Sequence, residues 1–142
     1  MITDAAQILS RNGIRPSPQR VAVFKAVFGR KGHPSVDTVF TQLRKAMPTL
    51  SRTTVYAAMA LFAEKKLIGE VHTDEGEVRY DGFTHFHAHF QCRKCGKLFD
   101  IELDGSHEHA FAKMPKGFVA DDEALIYRGL CPHCSVQKGN EK

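Results

Sequence analysis

The stretch His85-Phe86-His87-Ala88-His89-Phe90-Gln91-Cys92-Arg93-Lys94-Cys95-Gly96 contains two metal-ligand patterns side by side, and it decides how the rest of the chain is interpreted. Its second half is a C-x-x-C pair. A further pair, Cys131-Pro132-His133-Cys134, uses the remaining cysteines of the chain. Each pair can hold a tetrahedral ion from one turn, and two pairs complete a closed shell of thiolates. The sequence therefore predicts a structural Zn²⁺ with these ligands: Cys92, Cys95, Cys131 and Cys134.

The separation between the two C-x-x-C pairs is longer than in a compact zinc ribbon, so a whole subdomain must lie between them. A closed all-sulfur site has no open coordination position. It would therefore stabilise a small domain and would not catalyse a reaction. A redox dithiol pair and an iron–sulfur cluster are the alternatives that the same cysteines allow.

The first half of the quoted stretch alternates histidines with apolar residues. On a β-strand alternate residues share a face. The side chains of His85, His87 and His89 would therefore point to one side, and the apolar side chains between them would point to the core. Asp81 and Asp100 supply oxygen donors nearby in the sequence. Imidazole and carboxylate without thiolate suit Fe(II), Mn(II) or Zn(II), and such a mixed site exchanges its ion more readily than four thiolates do. A second, sensory metal site is predicted here.

Two further histidines, His107 and His109, lie among acidic residues in a segment that enters a predicted helix. A solvated surface explains them better than a third metal site. The roles of these two residues and of His85 stay open at the level of sequence.

Net charge divides the chain of 142 residues into two parts. Residues 1–66 have 11 basic and 3 acidic side chains, a net charge of +8, whereas residues 67–142 have 9 basic and 13 acidic, a net charge of −4. A basic part joined to an acidic part indicates that the first meets a polyanion.

The basic part is predicted to be helical, with four helices. The first covers Ile2 to Leu9 and ends near Asn12-Gly13, and the other three have a serine as N-cap. These caps are Ser17, Ser35 and Ser51. After Lys66 the pattern changes to period two over residues 67–73 and 77–81, which predicts a hairpin.

Helices closed by a hairpin outline a winged helix-turn-helix, so the predicted fold class is α+β. A winged-helix DNA-binding domain over residues 1–82 precedes a small α/β domain over residues 83–142. The fourth helix would be the recognition helix, and early polar side chains there suit phosphates and base edges. A merely polar helix start is the alternative. The candidate DNA contacts are Arg15, Arg20, Ser51, Arg52, Thr53, Thr54 and Tyr56.

The sequence contains no apolar run of about 20 residues and no signal-peptide plan, so no membrane association is expected and the cytoplasm is the expected compartment. No nucleophile triad, phosphate-binding loop or hydrolase carboxylate pair is present, and no small-molecule substrate is expected. The rival class is a metalloenzyme in which His87, His89 and Asp100 hold a catalytic ion.

The chain resembles the Fur (ferric uptake regulator) family of bacterial metal-dependent repressors over almost its whole length. The resemblance rests on Pro18-Gln19-Arg20, His33-Pro34-Ser35, Ser51-Arg52-Thr53-Thr54-Val55-Tyr56, Arg79-Tyr80-Asp81, His87-Ala88-His89, Cys92-Arg93-Lys94-Cys95-Gly96-Lys97 and the final Cys131-Pro132-His133-Cys134.

The resemblance implies a homodimer that binds palindromic A/T-rich operators in double-stranded DNA, with dimerisation through the second domain. It also implies a regulatory ion at the hinge between the domains, Fe²⁺ or Mn²⁺. The implied ligands are His33, Asp81, His87, His89 and Asp100.

Asp100 points to one branch of this family. Iron-sensing relatives usually have Glu at this position, and the peroxide-sensing PerR branch has Asp. In that branch bound Fe(II) reacts with peroxide and a ligand histidine is oxidised, here His33 or His87. Zinc-sensing relatives add a cysteine to the regulatory site, and every cysteine here is in a C-x-x-C pair. Iron or manganese sensing is the alternative.

Overall fold

The computed structural model describes residues 4–74, 76–103 and 112–140. The chain forms two compact units, of which the first ends at Thr84 and the second begins at His85. His107 and His109 lie outside the described residues. Among the helices that are described, none is long and apolar enough to cross a membrane.

The first unit consists of four helices followed by a two-stranded antiparallel hairpin. This is the predicted winged-helix architecture. The elements are α1 (Ala5–Arg11), α2 (Pro18–Val27), α3 (Val36–Leu43), α4 (Arg52–Glu64), β1 (Gly69–His72) and β2 (Val78–Asp81).

Helix starts in the first unit follow the caps in the sequence. Ser17, Ser35 and Ser51 each accept a hydrogen bond from the backbone N–H three residues later, at 3.1–3.2 Å, which confirms the three predicted N-caps. Asp4 caps α1 through the backbone N–H of Ala6 at 3.0 Å, so this helix runs from Ala5 to Arg11 and not over the predicted Ile2 to Leu9.

One apolar core joins the helices of the first unit to the hairpin. Leu9, Phe24, Val39 and Phe62 supply one buried side chain from each helix, and Tyr80 supplies one from β2. The rings of Phe24 and Phe62 meet edge to face, 5.3 Å apart. Burial of each such side chain stabilises the fold by about 1.5–3 kcal/mol, so this core holds the loops between the helices in place.

The loop between α2 and α3 is hydrogen-bonded along β2. The backbone N–H of Tyr80 donates to the carbonyl of Pro34 at 3.0 Å, and a guanidinium N–H of Arg79 donates to the carbonyl of His33 at 3.0 Å. The position of the His33 side chain is therefore tied to the strand that ends in Asp81.

Gly82 allows the closest backbone approach in this region. Its carbonyl accepts from the N–H of Gly29 at 2.9 Å. A Cβ at Gly82 would lie 2.1 Å from the carbonyl oxygen of Val27, so no larger residue fits without displacing the backbone.

The described residues of the second unit form a three-stranded sheet and one helix: β3 (Ala88–Cys92), β4 (Leu98–Ile101), β5 (Ile126–Gly129) and α5 (Pro132–Asn140). The strand order is β4-β3-β5, with β4 antiparallel and β5 parallel to β3. Helices and sheets that are segregated in this way confirm the predicted α+β class.

One face of this sheet presents aromatic side chains. Phe90 in the central strand is in register with Phe99 on one side and Tyr127 on the other. The outer two rings are 36% and 49% exposed, respectively. This face of the sheet therefore leaves aromatic surface accessible to solvent.

The predicted histidine strand is wrong in its extent. β3 begins only at Ala88, whose register partner Ile101 is the last residue of β4, so His85 and His87 precede the strand. The ring Nδ1–H of His87 donates to the carbonyl of His85 at 2.7 Å. Such a local side-chain bond offers the backbone an alternative to strand pairing.

The variant Gly82→Ala is expected to lower the free energy of unfolding by about 3 kcal/mol, because overpacking against fixed backbone forces the chain to move. Urea denaturation of the full-length protein measures this. Gly69→Ala is the matched control, since a Cβ there would meet the Cβ of Asp81 at 3.7 Å, an ordinary contact. Equal stability of the two variants would contradict the close approach at Gly82.

Candidate metal centres

The four cysteine sulfur atoms lie within 4.8 Å of one another. Sγ of Cys95 and Sγ of Cys131 are 3.9 Å apart, far beyond a disulfide bond of about 2.05 Å. Zn–S bonds of about 2.3 Å in a tetrahedron place neighbouring sulfurs about 3.8 Å apart. The four thiols therefore fit a single tetrahedral Zn²⁺, and they leave no room for the inorganic sulfides of a cluster.

Strand pairing closes the long separation between the two C-x-x-C pairs. Cys92 is the last residue of β3 and is in register with Gly129, the last residue of β5. The N–H of Arg93 donates to the carbonyl of Gly129 at 2.8 Å. Because β5 runs parallel to β3, the turn that follows each strand lies at the same edge of the sheet, and so do the two cysteine pairs.

Each cysteine pair is held by a short local turn. After β3 the N–H of Cys95 donates to Sγ of Cys92 at 3.5 Å, and Gly96 has a φ of +78°. Cys131 immediately precedes α5, and Cys134 lies in its first turn. Cys92, Cys131 and Cys134 are buried and form the second unit's own core cluster, against which Leu130 packs.

The pKa values of the Cys92 and Cys134 thiols shift in opposite directions. Backbone N–H groups, Cys95 first, lower the pKa of Cys92 to about 5. Burial and then the neighbouring thiols raise the pKa of Cys134 to about 12. Four negative sulfurs at this separation need a cation, and Zn²⁺ must displace protons to bind them. Zinc affinity is therefore expected to rise with pH.

In the second unit two imidazoles converge on one carboxylate. Nε2 of His87 and Nε2 of His89 lie 3.3 Å and 3.6 Å from Oδ1 of Asp100. His89 and Asp100 are register partners on β3 and β4, which explains their proximity. Ligands with bonds of about 2.1 Å to one ion are about 3.0 Å apart when adjacent and about 4.2 Å when opposite. The distance from each imidazole to Asp100 therefore fits a pair of ligands that share an ion.

His87 has the tautomer that a metal ligand needs. A carbonyl can only accept, so the bond from His87 to the carbonyl of His85 requires the proton on Nδ1. The lone pair of Nε2 then faces Asp100. This is the usual outer-shell arrangement of a ligating histidine, and only 4% of the His87 side chain is exposed.

The first unit contains a second, smaller group. Nε2 of His33 lies 3.7 Å from Oδ2 of Asp81, with both side chains buried. The other carboxylate oxygen of Asp81 accepts from the N–H of Phe83 at 2.9 Å. A separation of 3.7 Å is too long for a hydrogen bond and fits two ligands of one ion.

The predicted regulatory ligands thus form two groups, one within each unit. His85, whose role was open, lies outside both groups, and its Nε2 is 3.2 Å from each carboxylate oxygen of Glu102.

The candidate DNA contacts of α4 have different roles in the structure. Oγ of Ser51 lies 2.9 Å from Oγ1 of Thr54, and this pair closes the start of the helix. Thr53 is exposed, and Tyr56 is 60% exposed. A large exposed aromatic on a predicted recognition helix favours contact with a partner.

Arg52 is exposed but oriented by two residues of α3. Its Nε donates to Oδ1 of Asp37 at 2.7 Å, and its guanidinium lies 4.6 Å from the ring centroid of Phe40. Sequence reasoning missed both partners, because nothing local links α3 to α4. In α2 the guanidinium of Arg20 donates to the carbonyl of Arg15 at 3.1 Å.

Comparison with known proteins gives consistent matches. The family model described as "Ferric uptake regulator family" matches residues 11–127. The "Peroxide operon regulator" of Bacillus subtilis is 29% identical over 140 residues, 98% of this chain and 97% of that protein. "Transcriptional regulator FurA" of Mycobacterium bovis is 33% identical over 139 residues, 95% and 92% of the two chains. The solved structure titled "Zinc Uptake Regulator Complexed With Zinc AND DNA" has a TM-score of 0.69 at 25% identity, covering 95% of this chain and 93% of that one.

The variant Cys131→Ser is expected to lose most of its zinc and to unfold at a Tm at least about 10 °C lower, because each kcal/mol lost shifts a small domain by about 4–8 °C. Metal analysis and calorimetry of the purified protein measure the two effects. His133→Ala is the control within the same turn, and we expect it to retain zinc. A Cys131→Ser protein with full zinc content and an unchanged Tm would contradict the stabilising role.

Proposed function

The chain belongs to the ferric uptake regulator family and is a metal-responsive transcriptional regulator, and from that premise we propose that it is a repressor that senses peroxide through bound Fe(II). Mn(II) is the alternative corepressor at the same site. Zn²⁺ occupies the four-cysteine site and has a structural role. We assign the site of action to the cytoplasm, where the DNA lies.

The main observation behind the proposal is that sulfur ligands lie in one cluster, apart from the nitrogen and oxygen ligands. Every cysteine is gathered in the thiol cluster. The histidines and carboxylates therefore offer only nitrogen and oxygen, a donor set that suits Fe(II) and Mn(II). The peroxide operon regulator of Bacillus subtilis is similar over nearly the whole chain, which supports the peroxide-sensing branch.

We propose that one regulatory ion takes ligands from both groups described above: His33, Asp81, His87, His89 and Asp100. Each group is already assembled within its own unit, at separations of 3.3–3.7 Å. An ion that needs both groups would favour one arrangement of the two units. The coupling is reciprocal, so DNA binding would also tighten metal binding.

When bound, Fe(II) would activate peroxide next to an imidazole: one peroxide oxygen would add to a ring carbon, the other would leave as water, and the imidazole would supply the two electrons. The chain contributes the imidazoles: His33 and His87 are buried side chains whose Nε2 atoms face carboxylates. Addition of an oxygen atom to either ring would lower the basicity of its ring nitrogen. That nitrogen would then be a weaker metal ligand. The two units would then no longer be held together by the ion, and affinity for the operator would fall.

DNA binding is assigned to the winged helix, residues 1–82, with its net positive charge, and dimerisation to residues 83–142. The aromatic sheet face with Phe99 and Tyr127 supplies the apolar surface that a homodimer needs. A related zinc uptake regulator has been solved with zinc and DNA, which supports the assignment of double-stranded DNA as partner. The two recognition helices of a dimer would read a palindromic A/T-rich operator.

Iron- or manganese-responsive repression without peroxide chemistry is the second candidate. The observation in its favour is the 33% identity with transcriptional regulator FurA of Mycobacterium bovis, and the same donor set binds these ions. The metalloenzyme hypothesis is set aside, since the relatives are named as regulators of transcription.

The variant His87→Ala is expected to lose metal-dependent DNA binding while it stays folded, because it removes one buried ligand. Fluorescence anisotropy with Mn(II) measures this on a duplex selected from a random pool by the wild-type protein. We expect affinity to fall about 5–150-fold, to the metal-free level. His133→Ala is the control, because this exposed histidine lies outside the winged helix and outside both proposed ligand groups. Unchanged affinity in His87→Ala would refute the assignment of His87.

Peroxide treatment of the Fe(II)-loaded protein is expected to add one oxygen atom to His33 or His87. Peptide mass spectrometry locates the added atom, and the Mn(II)-loaded protein treated in the same way is the control. Loss of operator affinity should parallel the oxidation. Retained affinity without an oxidised histidine would favour the iron- or manganese-responsive candidate instead.

A further inference from the structure

We propose that His85 and Glu102 are positioning residues that clamp His87 in the orientation in which it binds the regulatory ion. The inference rests on the proposed function of His87. Neither His85 nor Glu102 belongs to the proposed ligand set. Their contact is nevertheless symmetric, since Nε2 of His85 lies 3.2 Å from both carboxylate oxygens of Glu102.

The connection from His85 to His87 is direct. The backbone carbonyl of His85 accepts the Nδ1–H of His87 at 2.7 Å, and their ring centroids are 4.8 Å apart. Any movement of His85 therefore moves the acceptor that fixes the tautomer of His87 and the direction of its Nε2.

Glu102 lies just beyond the end of the sheet, where backbone pairing no longer holds the segment that contains His87. The pairing of β3 with β4 ends at the Ala88–Ile101 pair, so no ladder bond of this pairing holds residues 85–87. Glu102 is the next residue after β4, the strand that carries Asp100. Beyond the last backbone pair, the side-chain contact between His85 and Glu102 thus links the segment before β3 to the segment after β4.

The expected effect is moderate. Removal of an outer-shell partner of a metal ligand lowers metal affinity by about 10–100-fold. The carbonyl of His85 remains after a side-chain substitution, and the pair is exposed, with 55% of His85 and 69% of Glu102 accessible. We therefore expect a loss of about three- to tenfold, since exposed ion pairs make small contributions.

The test measures Mn(II) affinity of the full-length, zinc-loaded protein from the electron paramagnetic resonance signal of free Mn(II). His85→Ala should bind Mn(II) about three- to tenfold more weakly than the wild type. His85→Gln, which keeps a side-chain N–H for Glu102, should restore most of the affinity. His72→Ala should match the wild type. His72 is also paired with a carboxylate, that of Glu70, but it lies in the first unit and has no contact with His87 in the proposal. Zinc content and Tm should be equal in all four proteins.

A double-mutant cycle separates the clamp from simple loss of negative charge. Glu102→Gln alone should resemble His85→Ala, and the combined variant should be no weaker than either single one, since both remove the same contact. Losses that add would show that Glu102 acts through its charge alone and would overturn the clamp.

The remaining outcomes also discriminate. Wild-type affinity in His85→Ala would overturn the clamp and leave the proposed function intact. Complete loss of Mn(II) binding in His85→Ala, with zinc content and Tm unchanged, would make His85 a ligand and not a positioning residue. A wild-type protein without any Mn(II) binding would overturn the proposed function itself.

Discussion

The second unit depends on electrostatics among four sulfur atoms that lie within 4.8 Å of one another. Among the described residues of this unit, Cys92, Cys131 and Cys134 form a buried cluster, with Leu130 packed against it. A core of thiols provides little hydrophobic stabilisation, and as thiolates the sulfurs repel one another. Binding of a divalent cation would replace this repulsion by attraction, so we expect it to stabilise the folded unit.

The same cluster defines the chemistry of the rest of the protein. Because it takes every cysteine, the proposed sensory site has only nitrogen and oxygen donors from histidine and carboxylate side chains. Thiolates hold a structural ion tightly, whereas imidazole and carboxylate bind an ion that can exchange or react. Under the proposed function, the choice of donor atoms would separate a permanent ion from a regulatory one within one polypeptide.

Packing in the first unit determines where the side chains of His33 and Asp81 lie. The core that joins Phe24 and Phe62 to Tyr80 holds β2 against the helices, and β2 holds the loop that contains His33. Gly82 permits the backbone contact that completes this arrangement. His33 and Asp81 are distant in sequence, and backbone hydrogen bonds, not local conformation, bring them to 3.7 Å.

The sequence by itself determined whatever depends on near neighbours along the chain. Serine caps, the hairpin and the C-x-x-C turns are each encoded within a few residues, and all of them form as predicted. Only the tertiary structure decided the parallel register of Cys92 with Gly129, the start of β3 at Ala88, and the contact of Arg52 with Asp37. These features depend on which strand or helix lies alongside, and a residue's own neighbours in sequence contain no information about that partner. The histidine pattern shows the limit: alternation predicts a shared face, but a strand extends only as far as its partner does.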